Sequence, residues 1–148
     1  MPIRCEIVSQ DKMVFEGEAD IVILPGTEGE MGILPHHAPL LTSLKYGVIT
    51  VRRGGEEEHF TVAGGIAEVQ PEIITILADA AENVAEIDVA RAEAARKRAE
   101  EALAKGPPPD TDAYLAIEAA LRRSNLRLEA AKRYRRSGPK PGRIGEEK

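Results

Sequence analysis

Two hydrophobic periodicities divide the chain, and one gives way to the other near residue 86. Up to about residue 80, short apolar runs recur: IRCEIVS, KMVFEGE, ADIVILP, GVITVRR, EEHFTVAG and EIITILAD. Each is rich in β-branched residues, and turn formers separate them at Pro25-Gly26, Gly47, Gly54-Gly55, Gly64-Gly65 and Pro71. This is strand composition with turn punctuation. Gly54-Gly55 reads as a tight hairpin turn, because glycine tolerates positive φ. Many short strands with no helix-length pattern between them predict a sandwich or barrel, not a parallel α/β sheet. Cys5 alternates with Ile3 and Ile7, which places it on the core-facing side of the first strand.

Beyond residue 86 the period becomes helical. Neither Gly nor Pro occurs between Val89 and Lys105, and Ala recurs at 92, 95, 99 and 102. Asp88 stands where a helix N-cap belongs, its carboxylate able to accept the free N–H groups of the first turn. Gly106-Pro107-Pro108-Pro109 must break this helix. A second helix is predicted from about Asp112 to Arg135, with Ile117, Leu121, Leu128 and Ala131 on one stripe. Two amphipathic helices with a short connection give an antiparallel hairpin. Its first helix offers mostly Ala, which buries far less area than Leu and grips weakly, so the hairpin is a candidate bistable element. The organisation read from the chain is therefore a strand-built head over residues 1–85, a helical hairpin over 86–136 and a disordered Gly/Pro-rich tail over 137–148.

Charge follows the same division. The formal net charge of −5 conceals a head region (1–86) with 5 basic and 15 acidic side chains and a remainder with 15 basic and 10 acidic. The basic half raises nucleic-acid binding as a possibility, but its interspersed carboxylates favour a solvated helix or a protein interface. Aromatic residues make up only 3% and Trp is absent, a poor basis for base or sugar stacking. A single cysteine excludes an internal disulfide and any CxxC site. The N-terminus lacks an apolar signal region and no run reaches the ~18 residues of a membrane span, so a cytoplasmic protein without direct membrane insertion is expected.

Candidate chemistry is sparse. The Gly26–Gly32 stretch lacks the Gly-Lys-Ser/Thr ending of a phosphate loop and carries two Glu, so turn glycines are the favoured reading. His36-His37 has only His59 as a further imidazole and no cysteine nearby, which favours a structural or interface role over a metal site. No arrangement suggests catalysis, and an enzyme is not expected.

The run Gly29-Glu-Met-Gly-Ile-Leu-Pro-His-His-Ala-Pro-Leu-Leu-Thr42 closely resembles the signature of the epsilon subunits of bacterial F-type ATP synthases. Gly47-Val-Ile-Thr-Val, the Gly64-Gly65 pair and Ile87-Asp-Val-Ala-Arg-Ala92 follow it in the family's order, and the resemblance extends over about residues 3–135. It implies an antiparallel β-sandwich of about ten strands followed by the two-helix hairpin. It also implies a non-catalytic rotor subunit on the cytoplasmic face of the plasma membrane, attached to the gamma subunit and the c-ring. Extended, the hairpin would rise along gamma and inhibit ATP hydrolysis by meeting acidic loops of the catalytic β subunits. The arginines at 122, 123, 127, 133, 135 and 136 suit that role by charge. Glu30 and His37 fall in the part of the signature that implies contact with the ring, where a solvated turn is the plainer reading of Glu30.

Ile-Asp-x-x-Arg-Ala further resembles the motif of those family members that bind ATP as a regulatory ligand; no other cofactor is implied. Carried across by position, Glu82, Asp88, Arg91, Ala92, Arg98, Arg123 and Arg127 match the binding residues. A hairpin turning near residue 108 would set Arg91 opposite position 125, between Arg123 and Arg127, which are helical neighbours four apart. Arg98 lies on the same face, about 10 Å further along, and Arg135 falls beyond the expected pocket. The plainer reading is a capped, salt-bridged first turn on an exposed helix. A free-standing ATP sensor would share the arginines, but would give no reason for the Gly29–Thr42 signature.

Overall fold

The computed structural model describes residues 1–10, 12–106 and 108–135. Its head comprises eight strands: β1 (Ile3–Ser9), β2 (Lys12–Ala19), β3 (Ile21–Gly26), β4 (Gly29–Ile33), β5 (Leu40–Arg53), β6 (Glu56–Val69), β7 (Ile73–Ala78) and β8 (Ala81–Asn83). The hydrogen-bonded order is β2-β1-β7-β6-β5-β3-β4, with β8 on β6. All pairings are antiparallel except β1 with β7, which is parallel.

Against the expectation of about ten, the described residues form eight strands. β5 and β6 are each 14 residues long and run through the glycines that had been read as breaks. The first part of β5 (Leu40–Leu44) pairs the far end of β6, which pairs β7 in turn, while the second part of β5 pairs β3 and the start of β6 carries β8. Two long bent strands thus serve both layers of the sandwich. Gly65, at φ +132, sits at this bend, and a Cβ there would lie 2.3 Å from the Leu77 carbonyl oxygen. Gly54 (φ +63) makes the β5–β6 turn as expected.

Alternation fills the interior. Ile3, Cys5 and Ile7 of β1, Val22 and Leu24 of β3, Ile49 and Val51 of β5, Phe60 and Val62 of β6 and Ile74 and Ile76 of β7 are fully buried. Phe15 and Phe60 meet in this core with ring centroids 5.3 Å apart.

A 3₁₀ turn at Val84–Glu86 leads from β8 to helix α1 (Val89–Ala104), and α2 (Thr111–Tyr134) returns beside it. Asp88 caps α1 by accepting from the Arg91 N–H at 3.0 Å, and Asp110 caps α2. Only Ala92 and Ala99 of α1 are buried, so its seam is as thin as the sequence indicated. α1 packs mainly on α2, whereas α2 also lies on β5, β6 and the 3₁₀ turn. The expected tail, residues 137–148, and Arg136 lie outside the described residues.

Candidate functional site at the junction of head and hairpin

The outward side of β5 carries Tyr46, Val48 and Thr50, in alternation with the core residues Ile49 and Val51. α2 covers this side. Val48, Val84, Ile87, Ala130 and Tyr134 form a small apolar cluster, separate from the core of the head. So few apolar groups give a weak contact, and polar and aromatic pairs flank it. The Arg122 guanidinium lies 4.0 Å from the Tyr46 ring centroid. Arg127 makes a two-pronged pair with Glu82, Nε to Oε1 at 2.8 Å and Nη2 to Oε2 at 3.2 Å. At the end of α2, Tyr134 stacks on His59 with centroids 3.9 Å apart and ring planes 21° from parallel.

The connection between head and hairpin is itself braced. Buried Asn83 donates from Nδ2 to Glu58 at 3.1 Å, and its Oδ1 accepts from the Ala85 N–H at 2.9 Å. One side chain thereby ties β6 to the 3₁₀ turn from which α1 departs. Arg135 Nη1 donates to the Ile87 carbonyl at 2.6 Å, beside the Asp88 cap. Between the start of α1 and the end of α2 lies a groove of about 500 Å³, lined by Val89, Glu93, Arg96, Leu128, Ala131, Lys132 and Arg135.

The residues matched from the ATP-binding motif are only partly gathered. Glu82 and Arg127 are in contact, Asp88 is committed to its cap, and Ala92 is buried in the seam. Arg91, Arg98 and Arg123 are exposed, and none has an ion-pair partner among the described residues. The expected pairing of Arg91 with position 125 is displaced toward the end of α2, because the start of α1 meets Leu128–Arg135. α1 ends at Ala104 and α2 begins at Thr111. Arg135, expected beyond the pocket, is brought to the first turn of α1. Glu30 is exposed at the start of β4. His37 lies past the end of that strand, its Nδ1 2.7 Å from the Ala38 carbonyl oxygen. The structure does not bring these two into contact with the junction.

Sequence reasoning missed Tyr46, His59, Asn83 and Tyr134. The one available signal was scarcity. With three Tyr and two Phe in the chain, tyrosines on a strand and at a helix end are notable. Among the described residues no cluster of potential ligands could hold a metal, and no helix is long and apolar enough to cross a membrane.

Comparison with known proteins gives this architecture its context. The beta-sandwich domain of the ATP synthase delta/epsilon chain matches residues 2–84, and the long alpha-helix domain of that chain matches residues 85–132. The ATP synthase epsilon chain of Dehalococcoides mccartyi is 46% identical over 134 residues, covering 90% of this chain and 95% of that protein. The chain belongs to the ATP synthase epsilon-chain family. The epsilon chain of Bordetella avium is 44% identical over 142 residues, covering 95% and 96%. Among solved structures, a chain of the Euglena gracilis mitochondrial ATP synthase superposes with a TM-score of 0.71 at 28% identity, covering 88% of this chain and 81% of that one. Epsilon chains are non-catalytic subunits.

Proposed function

We propose that this chain is the central-stalk epsilon subunit of a proton-translocating F-type ATP synthase, held peripherally at the cytoplasmic membrane face. Its sandwich joins the gamma subunit to the c-ring. Its hairpin, when extended toward the β subunits, restrains ATP hydrolysis, and ATP favours the compact form. The observation that carries this reading is the way α2 rests on the head. An apolar cluster of five side chains is supplemented by the Glu82–Arg127 pair and two aromatic contacts. The head meanwhile has a sealed core of its own. An element held so lightly on a self-sufficient domain is built to leave it.

The nucleotide part rests on three exposed guanidinium groups without ion-pair partners among the described residues, at Arg91, Arg98 and Arg123, and on Arg127, whose partner Glu82 a phosphate would have to displace. Guanidinium forks bind phosphate oxygens in pairs, which a lysine cannot reproduce. Calorimetric titration with ATP, with and without magnesium, tests it. Arg123→Ala or Arg127→Ala each removes a charge-assisted hydrogen bond of ~1.5–3 kcal/mol, so affinity falls about tenfold or more. Arg91→Lys weakens binding as well. Equal affinities across the set would reduce the arginines to a solvated basic face.

A further inference from the structure

We propose that the His59–Tyr134 stack is a proton-sensitive latch: neutral His59 holds the end of α2 on the sandwich, and its protonation releases the hairpin. The inference rests on the reading that the hairpin leaves the head, but not on nucleotide binding.

The geometry sets the latch at the right place. His59 stands on β6 opposite Thr50 of β5, on the side covered by α2. Its Nδ1 lies 3.1 Å from Thr50 Oγ1, and its Nε2 lies 3.4 Å from Glu57 Oε1. Tyr134 is the last residue of α2, and its ring stacks on one face of the imidazole. A neutral ring satisfies this setting, accepting from Thr50 at one nitrogen and donating toward Glu57 at the other.

The groups facing His59 sort by which side of the junction they occupy. Glu57 and Arg52 belong to the head and stay with His59 when the hairpin leaves. Arg133 and Tyr134 belong to α2 and depart with it. Burial lowers the His59 pKa below its ordinary 6.5, Glu57 opposes this, and Arg133 and Arg52 reinforce it. Both contributions that α2 supplies, cover and the Arg133 charge, therefore disfavour the imidazolium. The Arg133 guanidinium lies 5.2 Å from the Tyr134 ring centroid, so a charged His59 would stand near a second positive charge. The docked state accordingly binds His59's proton less well than the released state does. Docking is fully supported above the ordinary histidine value and is progressively lost as pH falls through and below it.

The test uses the full chain with a donor and an acceptor fluorophore on cysteines introduced by Lys45→Cys and Glu129→Cys, both exposed positions; native Cys5 is buried. Energy transfer reports docking. Transfer should be high near pH 8 and fall on acidification to about pH 5.5, across the histidine range. His59→Phe keeps a ring for Tyr134 but takes up no proton, so transfer should stay high at both values. Tyr134→Ala should lower transfer throughout, and should raise the His59 titration midpoint read from its imidazole NMR signal. If Tyr134→Ala releases the hairpin but the pH response survives in His59→Phe, the latch is refuted and the bistable hairpin stands. If transfer stays high in every variant and at every pH, the hairpin does not leave, and the functional reading fails with the latch.

Discussion

Cys5 measures how well the head is sealed. It is fully buried between Ile3 and Ile7, and burial, with Glu6 adding to it, pushes the thiol up to about 12. Only the thiolate attacks thiol reagents, so the native protein should resist them at pH 8 and react fully once unfolded. Labelling followed by mass spectrometry checks this, and the slow native rate then reports opening of the sandwich. Prompt labelling of native protein would mean that the β1 layer opens readily, contrary to its packing. Arg127 is the opposite kind of residue. It is accessible enough to exchange its partner, with side-chain exposure of 26% against 32% for Glu82. A pair this exposed contributes about 1 kcal/mol at most, which is enough to bias docking but not to fix it.

At the scale of elements, the bent pair β5–β6 holds the two layers of the sandwich together, and its bend depends on Gly65. A side chain there would meet the Leu77 carbonyl oxygen at 2.3 Å and the Ala78 Cα at 2.8 Å, in a backbone conformation that favours glycine. Gly65→Ala should therefore cost about 2–5 kcal/mol and lower the melting temperature by roughly 10 °C or more. Gly55→Ala, whose Cβ would meet nothing within 4 Å, should be nearly neutral in the same thermal scan. The contrast explains what the sequence could show. Alternation revealed that Ile3, Cys5 and Ile7 of β1 face inward, and the break in period near residue 86 revealed the hairpin. Composition alone does not tell a glycine that ends a strand from one that bends it, so Gly47 and Gly64-Gly65 were read as ends. The helix pairing was misplaced because it depends on how the two helices pack on each other, which periodicity does not encode. Asp88 was legible because a cap is local. The His59–Tyr134 stack was not, because it joins a strand and a helix end with no spacing rule between them.

At the scale of the whole molecule, the two parts differ in what they need from each other. Among the described residues every strand precedes Val84, and the principal core runs from Ile3 to Ala78 without using a helical residue. The two helices have no comparable interior; their buried positions are Ala92, Ala99, Ser124, Ala130 and Ala131. A chain of residues 1–85 should thus unfold cooperatively on its own and bind purified gamma subunit in gel filtration. The hairpin alone should be largely unfolded by circular dichroism, since small side chains in a thin seam do not offset the entropy of ordering two helices. If the hairpin restrains hydrolysis as proposed, an enzyme assembled with the truncated head should hydrolyse ATP faster than one with the full chain. If the head fails to bind gamma while the isolated hairpin does bind it, the attachment surface belongs to the helices. The light docking of α2 would then serve assembly rather than restraint.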